Sequence, residues 1–170
     1  ILNLTIAKIL IGLCVIFQIF YACLSGRAEE IYISPFGDAS EKANLNFRYD
    51  SGVPEKDYVL ETNGSGVALF DYDHDGDLDI YMVNASYFNL KPEDSHPIDR
   101  FYRNDGNWKF TDITHEAGLG SAAWGIGCAA ADYDNDGDLD LLVTNWGSNC
   151  LYRNNGDGTF TDVAKEAGVL

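Results

Sequence analysis

Three features of this 170-residue sequence predict an all-β fold made of four-stranded antiparallel sheets: a tandem repeat, short apolar runs at strand spacing, and Gly, Asn and Asp at hairpin positions. Residues 66–80 line up with 127–141 at an offset of 61, and 101–119 with 151–169 at an offset of 50. The difference is an eleven-residue insertion in the first copy, around 86–98, where Pro92, Pro97 and several polar residues signal a surface loop. A four-stranded unit repeated in tandem is the sequence signature of a β-propeller, in which each sheet buries a face against its neighbour. Two units cannot close a ring, so two blades of a longer array are expected.

The elements follow in chain order. Residues 9–24 form a mostly apolar run broken by Gln18, with Lys8 before it and Arg27, Glu29 and Glu30 after it. As a helix this run reaches about 24 Å, short of a hydrocarbon layer of about 30 Å. Residues 1–28 are therefore expected to be an apolar export helix, serving as a signal peptide or as a membrane or lipid anchor. Cys23, preceded by Ala22, is a candidate lipidation site. The first residue is Ile, and residue 170 coincides with a repeat end, so an N-terminal piece of a longer protein is expected. Within 29–170, a lead-in segment over 31–65, with apolar patches at 47–49 and 58–60, is expected to add a strand that closes the ring. The repeats span about 61–119 and 120–170. Strands are predicted near 66–70, 79–84, 100–104 and 108–113, and again near 126–131, 140–145, 150–154 and 158–163. Residues 104–107 and 154–158 supply hairpin turns. The Glu-Ala-Gly closing each copy predicts a short helical turn stopped by Gly.

Ten of the 27 carboxylates fall in two nine-residue windows. The first holds Asp71, Asp73, Asp75, Asp77 and Asp79, and the second holds Asp132, Asp134, Asp136, Asp138 and Asp140. Carboxylates at positions 1, 3, 5 and 9, with Gly76 or Gly137 at position 6, let one short loop wrap oxygen around a hard cation. Ca²⁺ suits them best, because Mg²⁺ retains several waters and Zn²⁺ would call for His and Cys ligands. The backbone carbonyl of Asp77 or Asp138 is expected to join the ligands, with its side chain facing water. An EF-hand is disfavoured, since its position 12 needs a bidentate acid and here holds Met82 or Val143, followed by strand pattern. A metal-free acidic turn is disfavoured by repulsion among its carboxylates.

These loops resemble the calcium-binding FG-GAP or VCBS repeats of integrin α-subunit propellers and bacterial secreted proteins. The string 61–84, followed by Tyr-Arg-Asn-x-Gly and Phe-Thr-Asp, is similar to the cartilage acidic protein and ASPIC/UnbV group. The resemblance covers about 45–170 and implies an extracellular or periplasmic propeller with two Ca²⁺ sites, without implying a reaction.

A net charge of −16 and a pI near 4.2, with no Lys/Arg cluster, exclude nucleic acid and basic-patch adhesion to anionic membranes. Membrane contact is expected only through the N-terminal segment. His115 sits where the second copy has Lys165, His74 is matched by Asn135, and His96 lies in the insertion, so no His is paired with a nucleophile and no catalytic residue is predicted. Cys128 and Cys150 either pair or remain buried thiols. Trp108 and Trp124 are expected to pack between blades, while Trp146 either packs or presents a stacking face. The expected function is a secreted, extracellular or envelope interaction and adhesion platform for a protein or glycan. The alternative is an accessory module of a larger enzyme or biosynthetic protein.

Overall fold

The computed structural model describes residues 37–52, 55–88 and 96–170; the predicted export segment, 1–28, lies outside them. Residues Ala39–Leu170 make one compact unit. It contains two four-stranded antiparallel sheets, each in sequential strand order. Sheet one is β1 (Val67–Phe70), β2 (Asp79–Met82), β3 (Arg100–Asn104) and β4 (Phe110–Asp112). Sheet two is β5 (Trp124–Ala131), β6 (Asp140–Trp146), β7 (Cys150–Asn154) and β8 (Phe160–Asp162). All eight predicted strands are present. Each aspartate window joins the first two strands of its sheet, and Met82 and Val143 lie in strands, as an EF-hand would not allow.

Alternation places the core. In β1, Ala68 and Phe70 are buried while Val67 and Leu69 are exposed, the period of two that a pleated strand imposes. Ala68, Phe70, Tyr81, Val83 and Phe101 of the first sheet meet Leu141, Val143, Tyr152 and Phe160 of the second in one cluster. Phe101 is its hub, with ring centroids 5.0 Å from Tyr72, 5.7 Å from Phe70 and 5.9 Å from Phe160. Each fully buried ring there contributes about 2–3 kcal/mol.

Glycine lets the first strands of the two sheets approach. A Cβ on Gly66 would sit 2.8 Å from the Cys128 backbone nitrogen, and one on Gly125 would sit 2.2 Å from Val83 Cγ1. Hydrogen bonds cross the interface as well: Gly125 N–H donates to Asn84 O (3.0 Å) and Phe160 N–H to Ala117 O (2.8 Å).

The lead-in segment departs from expectation. Among its described residues there is no strand: it holds a short helix, α1 (Ser40–Ala43), and a 3₁₀ turn (Val59–Thr62). Ala43, Leu45 and Phe47 pack on the outer face of sheet one, against Ile80, Met82, Tyr102 and Phe110, and Asn44 Nδ2 donates to Phe110 O at 3.0 Å. The apolar patch at 58–60 is diverted by Glu61, whose Oε2 accepts the Tyr58 N–H at 2.9 Å and closes the 3₁₀ turn.

The second Glu-Ala-Gly forms α2 (Ala164–Ala167), ended by Gly168 in the left-handed region (φ 72°). In the first copy Gly118 takes the same conformation (φ 75°) after a single turn. Cys128 and Cys150 are free, half-buried thiols, and burial pushes Cys128 up to about 11. Trp124 is buried as expected, whereas Trp108 is 75% exposed. That corrects its assignment to packing: Trp108 lies in the β3–β4 turn at φ 57°, which carries its side chain off the sheet face. Trp146 is also exposed, at 66%. Among the described residues no helix is long and apolar enough to cross a membrane.

Candidate metal-binding loops

The two aspartate windows fold into the same loop. Its fourth residue, His74 or Asn135, adopts a left-handed conformation (φ 61° and 67°), as does the sixth, Gly76 or Gly137 (φ 91° and 102°). Asn and His tolerate this region better than most residues, so the position that looks variable in sequence is restricted by backbone geometry. The first carboxylate then receives the loop's amides. Asp71 accepts from Asp75 N–H and Gly76 N–H at 3.2 and 3.0 Å, and Asp132 accepts from Asp136 N–H and Gly137 N–H, each at 3.1 Å. Asp75 and Asp136 each accept the N–H of the residue two places on, Asp77 and Asp138, at 2.8 and 2.9 Å.

Positions 1, 3 and 5 come together in both loops. Asp71, Asp73 and Asp75 each offer a carboxylate oxygen, all within 4.8 Å of one another, and so do Asp132, Asp134 and Asp136. Ca–O distances of 2.3–2.6 Å place opposite oxygens of one coordination sphere about 4.6–5.2 Å apart, so the oxygens of each cluster are close enough to share one hard cation.

Positions 7 and 9 are placed differently. Asp77 is exposed, whereas Asp138 is engaged across the interface, its Oδ1 lying 3.0 Å from His74 Nε2. Asp79 and Asp140 are buried and stand outside the clusters of three. Asp79 Oδ2 accepts the Tyr72 N–H (3.2 Å) and Oδ1 the Asn104 N–H (2.8 Å). Asp140 repeats this with Tyr133 N–H and Asn154 N–H, both at 2.9 Å. Burial pushes the Asp79 carboxyl up to about 6 against those two amides, with the nearby Asp73 and Asp75 charges adding to the rise. Burial raises Asp140 likewise. Position 9 thus ties the loop entrance to the third strand of its own sheet.

Asn104 and Asn154 complete the frame, a role their Asn-Gly turn context does not disclose. Asn104 Nδ2 donates to Leu78 O (3.2 Å) and Asn154 Nδ2 to Leu139 O (3.4 Å), within their own sheets. Asn154 Nδ2 also donates to Tyr72 O at 2.8 Å, reaching from the second sheet to the first loop. The signal available in sequence was their identity at matching positions of the 101–119 and 151–169 repeat, whatever the length of the connection to the loop.

With this geometry repeated twice, the comparison with known families has a physical counterpart. The FG-GAP-like repeat family matches residues 89–143 and 132–168. The matched stretch, 89–168, is similar to FG-GAP-like repeats. Both matched segments contain the whole second loop, 132–140, while the first loop lies outside them and makes the equivalent hydrogen bond. No curated protein matches the chain.

Proposed function

We propose that the chain is a calcium-stabilised β-propeller module of the ASPIC/UnbV type. In this reading it acts outside the cytoplasm as a non-catalytic platform for a protein or glycan partner. The observation that carries the calcium reading is the pair of carboxylate clusters, each with three oxygens within 4.8 Å, presented by loops of the same backbone geometry. Asp71, Asp73 and Asp75 would hold one ion and Asp132, Asp134 and Asp136 the other, with Asp77, Asp79, Asp138 and Asp140 as the remaining candidate donors. The ion would supply charge neutralisation to loops whose carboxylates otherwise repel one another.

The propeller reading rests on two sequential four-stranded sheets packed face to face. On the outer face of sheet two, Leu142 and Leu151 pack with Val163 and Ala164 as a second apolar layer. The extracellular reading rests on the apolar run 9–24 and on a loop chemistry that suits extracellular calcium, where weak sites fill. At millimolar calcium and a Kd of about 100 μM, mass action gives about 1.4 kcal/mol per site.

Calorimetric titration of the chain with Ca²⁺ tests the assignment. Two sites are expected, one lost in Asp73→Ala and the other in Asp134→Ala, each variant melting lower in calcium. Unchanged stoichiometry in either variant, or no binding in a folded sample, would refute the ligand sets.

A further inference from the structure

At the end of the sheets remote from the aspartate loops, a cavity of about 490 Å³ is lined by Tyr58, Val59, Leu60, Asn63, Phe88 and Trp146. Its wall is almost wholly apolar and aromatic. Trp146 ends β6, whose first residue is Asp140, so six strand residues, about 20 Å, separate it from the loop. The rings are held in place. Phe88 meets Tyr58 edge-on at 4.6 Å between centroids and lies 4.4 Å from the buried Trp124. Tyr58 is set by the 3₁₀ turn that Glu61 closes. Yet Tyr58 and Trp146 stay 58% and 66% exposed, free to receive a ligand.

We propose that this cavity is an aromatic cage for an organic cation of the quaternary or methylated ammonium class. Two properties select that class. The π-faces of Trp, Tyr and Phe attract a cation whose charge is spread over methyl groups, since such an ion sheds water easily and satisfies an apolar wall. The local charge favours a cation: in the segment supplying Tyr58, Glu55 and Asp57 are exposed against the single Lys56. An anion is repelled by the same field. A sugar would lose water from its hydroxyls and find Asn63 as the main polar side chain to replace it.

The test uses the full chain saturated with calcium, titrated with choline and with its neutral isostere 3,3-dimethylbutan-1-ol. Choline should bind about 5- to 10-fold more tightly than the alcohol, and its affinity should fall as salt screens the acidic field. Trp146→Ala, at an exposed position, should weaken choline about 5- to 10-fold without changing the melt, and Tyr58→Leu should do the same. Equal binding of the two probes would show a plain apolar groove and overturn the proposal. So would no binding to the folded protein, or undiminished binding by Trp146→Ala. The calcium sites are tested separately, because the cavity uses none of their residues.

Discussion

Asp99 is wholly buried, accepting from the Asn84 N–H at 2.7 Å and from the Tyr81 hydroxyl at 2.7 Å. Its charge helps to raise Tyr81, Cys128 and Tyr152, groups that burial already holds protonated. Burial pushes its carboxyl from 3.8 up to about 6, despite the two hydrogen bonds. Because the folded state holds the proton more tightly than the unfolded chain, stability conferred by protonated Asp99 is complete below about pH 4. It is lost as pH rises to about 6, and the full difference is about 3 kcal/mol. The second copy already contains the replacement. Asn149 stands at the equivalent position, its Oδ1 accepting from Asn145 N–H at 3.1 Å. Asp99→Asn should keep that bond, remove the charge, and oblige Tyr81 to find another acceptor, at a cost of about 1 kcal/mol. The net expectation is a gain of about 1–2 kcal/mol at pH 7 that vanishes near pH 4. Urea denaturation of both proteins in the same millimolar-calcium buffer from pH 4 to 7.5 measures it, since the loops, and any calcium they take up, are common to both. A stability difference independent of pH, or a less stable variant at pH 7, would refute the reasoning.

Three further perturbations probe the packing. Gly125→Ala should destabilise by more than about 2 kcal/mol in chemical denaturation, because the added carbon would meet Val83 Cγ1 at 2.2 Å and Asn84 O at 2.6 Å. Asn154→Ala should cost about 2–3 kcal/mol by the same measurement, and Asn104→Ala less, since only Asn154 also satisfies a carbonyl of the other sheet. Cys128, half-buried and with its thiol pushed up to about 11, should resist iodoacetamide at pH 7.5 until the protein unfolds, as intact-mass analysis would show.

What could be read from sequence follows from what is local. Strand positions came from alternation, and the hairpins from Gly and Asn at turns that need positive φ. The gathering of Asp71, Asp73 and Asp75 came from their spacing within one loop. What could not be read depends on backbone conformations and hydrogen bonds that residue type alone does not disclose. The lead-in patch at 58–60 has strand-like residues, yet a single carboxylate, Glu61, closes a 3₁₀ turn over them. Trp108 looked like a packing residue because it is large and apolar, but its left-handed backbone turns it to solvent. The burial of Asp79 and Asp140 was also hidden, because in sequence they look like the other loop carboxylates and only the amides of Asn104 and Asn154, on the third strands, set them apart.

Those amides give the two loops a shared frame. Asp79 holds the N–H of Tyr72, and the carbonyl of the same Tyr72 accepts the Asn154 side chain. The N–H of that asparagine binds Asp140, the corresponding residue of the second loop. A continuous run of hydrogen bonds therefore leads from one loop through Tyr72 to the other, and His74 adds a second crossing to Asp138. The aspartate loops are consequently part of the sheet interface. Anything that loosens the loops also loosens the packing of Phe101 against Phe160 beneath them. Under the proposed calcium reading, this is how a cation held among exposed carboxylates would act on the stability of an apolar core it never touches.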